Sequence, residues 1–183
     1  MFIETEPTPN PATIKFLPGR EVSPQGAVDF TDPETASAKS PLARRIFAVG
    51  GIVGVHLGRD FVAVTKADTE DWYFLKPAVL GAIMEHYLSG EPVIAGELPQ
   101  ERAAADEDET SRRIRELIDT RVRPVVARDG GDIVFYGFER GVVYLHLRGA
   151  CSGCPSSIVT LKNGIENLLR HYVPEVVEVR AVS

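Results

Sequence analysis

The chain has 183 residues, enough for one large domain or two small ones. Apolar residues make up 44% and charged residues 25%, as in an ordinary globular protein, and no apolar run is long enough to span a membrane. Met1 to Asn10 carry two acids and no base, which fits neither a secretory signal nor an arginine-rich transit peptide. The expectation is a chain that stays in the compartment where it is made.

The net charge of −6 is unevenly spread. Residues 1–100 hold 8 basic and 13 acidic side chains, residues 101–110 hold 1 and 5, and residues 111–183 hold 11 and 8. A change of sign along a chain suggests two units with different jobs. The basic residues of the second half are scattered among acids and no nucleic-acid motif accompanies them, so no nucleic-acid partner is expected.

The first unit, residues 1–97, opens with the short strand-like pieces Phe2-Ile3 and Ile14-Lys15-Phe16. Between them, Pro7-Thr8-Pro9-Asn10-Pro11 removes backbone donors and favours an extended or turning path. Residues 18–40 are turn-rich. Ser40-Pro41 reads as an N-cap with proline at the first helical position, followed by Leu42, Ile46 and Phe47 at helical spacing. Val53, Val55 and Leu57 alternate, then Gly58-Arg59-Asp60 and Phe61 to Thr65 complete a β-hairpin. Leu75 to Leu88 carries the helical stripe Val79, Leu80, Ile83, Met84, Tyr87 and Leu88, with Gly90 as a stop.

Residues 98–109 have no apolar periodicity and many charges, and read as a linker running into the acidic first turn of a helix. In the second unit, residues 110–183, Ile114, Leu117, Ile118, Val122, Val125 and Val126 mark a helix that must accommodate Pro124. Gly130-Gly131 ends it. Ile133 to Phe138 and Val142 to Leu147 are strands joined by the hairpin turn Glu139-Arg140-Gly141. A helix from about Pro155 to Tyr172 follows, and Val176 to Val179 forms a last strand. The fold class expected is α+β: two small two-layer α/β domains joined by a charged linker, the second with the order α-β-β-α-β.

The chemistry sits in Gly149-Ala150-Cys151-Ser152-Gly153-Cys154-Pro155-Ser156-Ser157. Cys151 and Cys154 are the chain's two cysteines. Such spacing does not build a disulfide framework; it points to metal, cluster or redox chemistry in a reducing compartment. Thiolates suit Fe–S clusters, zinc and copper(I). Pro155 suits the first position of a helix, so the loop would sit at the positive end of a helix dipole, which favours anions and is expected to lower a thiol pKa.

From the pair alone, a redox dithiol, a zinc site and an Fe–S site all stand open. A thioredoxin-like site resembles Cys-Gly-Pro-Cys beside a tryptophan, whereas here the inner residues are Ser-Gly and Trp72 lies in the other unit. A one-chain zinc site needs four ligands, and no histidine falls at ligand spacing. His146 reads as a strand side chain, and His56, His86 and His171 as hairpin and helix-face residues. Asp129-Gly130-Gly131-Asp132 reads as a helix stop and strand start. Lys162 and Arg148 are candidates to offset cluster charge, with a solvated surface role as the plain alternative. Gly164 inside a helix costs about 1 kcal/mol against alanine, for which close packing would account.

Residues 112–180 resemble the C-terminal domain of the NifU/Nfu family through Arg123-Pro124, Asp129-Gly130-Gly131-Asp132-Ile133, the cysteine loop, and Leu161-Lys162-Asn163-Gly164-Ile165-Glu166. Residues 1–95 resemble the Nfu N-terminal domain through Thr5-Glu6-Pro7-Thr8-Pro9-Asn10-Pro11, Lys15-Phe16-Leu17-Pro18-Gly19, Ser40-Pro41-Leu42-Ala43, Lys76-Pro77 and Ile83-Met84-Glu85. The resemblance implies a non-catalytic scaffold or carrier. It would bind a [4Fe–4S] cluster through Cys151 and Cys154, receive it from upstream assembly proteins, and deliver it to apo iron–sulfur proteins. Such a cluster takes four thiolates, and one chain offers two. Two chains must then share it as a homodimer, or an external thiol must complete it. The resemblance also implies a bacterial cytoplasm or a mitochondrial matrix, the former preferred in the absence of a transit peptide.

Overall fold

A computed structural model describes residues 1–98, 107–153 and 155–182. The chain separates into two units, Met1–Pro99 and Gln100–Ser183, each with its own hydrophobic core. Both mix helix and sheet, giving the expected α+β class. Residues 99–106, most of the expected linker, lie outside the described residues.

In the first unit the elements are β1 (Glu4–Pro7), β2 (Thr13–Leu17), β3 (Val28–Phe30), α1 (Pro33–Lys39), α2 (Pro41–Phe47), β4 (Ile52–Leu57), β5 (Val62–Lys66) and α3 (Trp72–Ser89). The strands form one antiparallel sheet in the order β1-β2-β5-β4-β3. The expected caps are present: the Ser40 hydroxyl accepts from the Ala43 amide at 3.0 Å and donates to the Val93 carbonyl at 2.6 Å. Asp71 caps α3 by accepting from the Tyr73 amide at 2.8 Å. Phe16, Phe30, Leu42, Ile46, Leu57 and Ile83 fill the core and are fully buried.

Two details differ from the sequence reading. The first strand is Glu4–Pro7 rather than Phe2-Ile3, because its ladder to β2 pairs Glu4 with Leu17 and Pro7 with Ile14. Pro7 is tolerated there because β1 is an edge strand, where one row of amides needs no partner. The turn-rich stretch 18–40 also contains β3 and α1. The strand is only three residues long, and α1 buries a single side chain, Ala36, so neither has a periodic apolar signature.

The second unit contains α4 (Glu109–Leu117), a π-helical turn (Ile118–Val122), α5 (Arg123–Arg128), β6 (Gly131–Glu139), β7 (Val142–Gly149), α6 (Pro155–Tyr172) and β8 (Glu178–Val182). The π turn answers the question posed by Pro124. The Arg123 amide bonds back to the Ile118 carbonyl, so the chain loosens by one residue just before a proline that lacks an amide hydrogen. The β6–β7 hairpin closes through Arg140 and Gly141, both at positive φ (51° and 80°), as a two-residue turn requires. Strand β8 pairs parallel to β7, giving the order β6-β7-β8.

The last strand starts at Glu178, two residues later than expected. Val176 packs into the core, and the amides of Val177 and Glu178 both bond to the Gly141 carbonyl at the hairpin tip. Gly164 does not mark close packing, since a Cβ there would meet nothing within 4 Å.

Candidate metal-cluster site

Cys151 sits in the loop that joins β7 to α6. Gly149 (φ 63°) turns the chain out of the strand, and the Ser152 amide and hydroxyl both donate to the Gly149 carbonyl, at 3.1 Å and 2.9 Å. Gly153 follows at φ 85°, a conformation that L side chains rarely adopt. The loop is tied to the end of α5 by the Ala150 amide, which donates to the Gly130 carbonyl at 3.1 Å. Ala150 and Cys151 are therefore buried, and Cys151 packs within the apolar core of the unit.

The seat of Cys151 is built by a glycine from another strand. Gly131 stands opposite Gly149 in the β6–β7 ladder. A Cβ on Gly131 would lie 2.3 Å from Cys151 Sγ and 3.0 Å from its amide nitrogen. Gly131 is thus required for close approach and not for an unusual backbone angle.

The next residue links the seat to the helix before it. Asp132 is buried and accepts from Arg123 Nε and Nη2, both at 2.9 Å, a bidentate pairing. Arg123 also reaches Asp119 at 3.3 Å. The Arg123-Pro124 and Asp129-to-Asp132 stretches therefore converge beside Cys151.

Burial, then the carboxylates of Asp129 and Asp132, push the Cys151 thiol up to about 12. The direction is opposite to the one expected from the helix dipole alone. The sulfur is desolvated and two acids are near enough to act on it, and both effects disfavour the thiolate. A metal ion binding there must displace a firmly held proton.

Cys154, the other expected ligand, lies outside the described residues. His146 is a strand residue whose Nδ1 lies 3.3 Å from the Val182 carbonyl. Lys162 pairs with Glu178 on β8 at 3.9 Å, a surface role. Arg148 stands opposite Asp132 in the strand ladder. His56 and His86 are buried in the first unit, away from any cysteine in sequence. Among the described residues, no group of three or more His, Cys, Asp or Glu side chains is placed to hold a metal ion. The sequence reading missed the Gly131 seat and the Arg123–Asp132 pair; the Gly-Gly doublet was their available signal.

A family model described as the NifU-like domain matches residues 114–180, and one described as the scaffold protein Nfu/NifU N-terminal domain matches residues 3–90. The human "NFU1 iron-sulfur cluster scaffold homolog, mitochondrial" is 48% identical over 184 residues, covering 100% of this chain and 72% of that protein. The chain belongs to the Nfu family. The Drosophila erecta protein of the same name is 50% identical over 185 residues, and the chain spans 65% of its length. A solved NifU-like protein from Saccharomyces cerevisiae covers 53% of this chain and 87% of its own, at 26% identity and a TM-score of 0.48. Both halves of the Nfu pattern are therefore present in one chain, and the family's scaffold character gives the cysteine loop its context. Among the described residues, no helix of this Nfu chain is long and apolar enough to cross a membrane.

Proposed function

We propose that the chain carries a [4Fe–4S] cluster as cargo, bound through Cys151 and Cys154 of two copies, and passes it to apo iron–sulfur proteins after loading by an upstream assembly protein. The observation that carries this reading is arithmetic: the full sequence has two cysteines, and the cubane takes four thiolates. The names of the relatives support an iron–sulfur scaffold. The division of labour proposed is residues 110–183 for the cluster and residues 1–97 for docking, joined by the linker 98–109. Binding and release, without catalysis, suffice for this role. A site split between two chains can come apart when an acceptor offers better ligands. The relatives' mitochondrial names favour a mitochondrial matrix over a bacterial cytoplasm as the setting.

A dithiol–disulfide oxidoreductase is the rival reading. The inner Ser-Gly pair departs from the Gly-Pro of a thioredoxin-like site, and such an enzyme would take up no iron or sulfide on reconstitution.

The test is anaerobic reconstitution with iron and sulfide, followed by iron counting and sedimentation velocity. A brown dimer with two irons per chain is the expected product. A loaded monomer without added thiol would refute the bridge. Cys154→Ser should abolish the stable cluster. Cys151→Ser should do the same and also lower the melting temperature, because it places a hydroxyl in the apolar core. A Cys154→Ser chain with full cluster content would sink the ligand assignment.

A further inference from the structure

The four residues Asp129 to Asp132 lie along the cysteine loop. Helix α5 ends at Arg128, and Asp129 caps it, its amide donating to the Val126 carbonyl at 3.1 Å. The Gly130 carbonyl holds the Ala150 amide, and Gly131 lies against Cys151 Sγ. Two glycines therefore touch the loop, and an acid flanks them on each side.

The two acids differ in how their charge is met. Asp132 is buried and accepts from Arg123 Nε and Nη2 at 2.9 Å, which offsets its charge. Asp129 is exposed, and among the described residues no cation pairs with it. It is also the wrong charge for its place. The carbonyl end of a helix favours cations and repels an acid. Helix α5 thus gains nothing from this carboxylate. A local rule broken without a compensating contact points to a functional constraint. The functional group beside it is Cys151. Among the described residues, the charges that act on that sulfur are those of Asp129 and then Asp132, both negative.

A cubane held by four thiolates is an anion, and a site built to keep it would set positive charge around it. A carrier has the opposite need, because it must let its cargo go. We propose that the Asp129 carboxylate sets how readily the cluster is released, by repelling the anionic unit that Cys151 helps to hold. The backbone contacts of Gly130 and Gly131 keep that charge beside the loop, and Arg123 withdraws Asp132 from the same role. This role rests on the cluster reading of the Cys151 site.

The test uses the full chain, reconstituted anaerobically with iron and sulfide and then exposed to excess of a neutral bipyridyl chelator. Decay of the visible absorbance reports loss of the cluster. Asp129→Asn is expected to hold the cluster severalfold longer than the unaltered chain, and Asp129→Glu to lose it at the unaltered rate. The gap between the aspartate and asparagine chains should narrow in about 1 M salt, where the screening length falls to roughly 3 Å. Asp129→Asn should also raise the reduction midpoint of the cluster, since one negative charge fewer favours taking up an electron. Free of cluster, that variant should melt no lower, because it removes an unfavourable contact with the helix dipole. Equal or faster loss from the asparagine chain overturns the proposal. So does a slower loss that persists undiminished in high salt or that Asp129→Glu shares, because shape and not charge then decides it. Uptake of no iron or sulfide by any of the three chains refutes the cluster reading itself, whereas uptake with equal lifetimes refutes only the role of Asp129.

Discussion

Cys151 rests directly against the Cα of Gly131, with room for a hydrogen there and nothing larger: a Cβ would fall 2.3 Å from the sulfur and 3.1 Å from the Cys151 Cβ. The two residues are twenty apart in sequence and meet because β6 and β7 pair Gly131 with Gly149.

Gly131→Ala should therefore push the cysteine loop out of its seat. Overpacking of this kind typically costs about 1–3 kcal/mol. The expected outcome is a lower urea midpoint for the second unit together with loss of iron and sulfide after reconstitution. An alanine variant with full cluster content and unchanged stability would show that the loop shifts freely and that the seat does not position the ligand.

Arg123→Ala would leave the buried Asp132 carboxylate without the two guanidinium bonds it now accepts. Removing one partner of a buried pair costs about 3 kcal/mol, because the remaining charge stays desolvated. Arg123→Lys should recover only part of this, since an ammonium cannot donate through two parallel bonds. Chemical unfolding of the three chains measures the difference. Equal stability of the arginine and alanine forms would mean that Asp132 finds water or another donor.

The stability of the first unit should depend on pH through His86. Both of its ring nitrogens are buried without a hydrogen-bond partner among the described residues. Burial first, then the charge of Arg45, lower its pKa; Glu91 pulls the other way, and Arg44 adds a smaller lowering. In the unfolded chain the imidazole takes up a proton at about pH 6.5. The folded state resists that proton, so its stability is fully present above this pH and falls as the pH drops toward the folded pKa. The melting temperature of the first unit should decline between about pH 7 and pH 5, and His86→Leu should flatten the decline. An unchanged slope in that variant would assign the effect to other groups.

Much of this was legible in the residues themselves. Ser40-Pro41 announced a capped helix, Glu139-Arg140-Gly141 a hairpin, and the Val79-to-Leu88 period a helix, because caps, turns and apolar periods act over a few neighbours; of that stripe Val79 and Ile83 enter the core, whereas Met84 and Leu88 face solvent. The cysteine pair and its flanking glycines marked the candidate site for the same reason. The limits of β1 and β8 were not legible, since a ladder with β2 places one and the Gly141 carbonyl at the hairpin tip places the other.

The environment of the thiol was the largest departure. Sequence alone placed Cys151 before a helix and so at a positive dipole end. Tertiary structure buries the sulfur against Gly131 and brings the charges of Asp129 and Asp132 near it, and desolvation first, then those charges, push the thiol pKa up. Local pattern determined which atoms are available for chemistry. Their protonation was set by contacts between residues that only the folded sheet brings together.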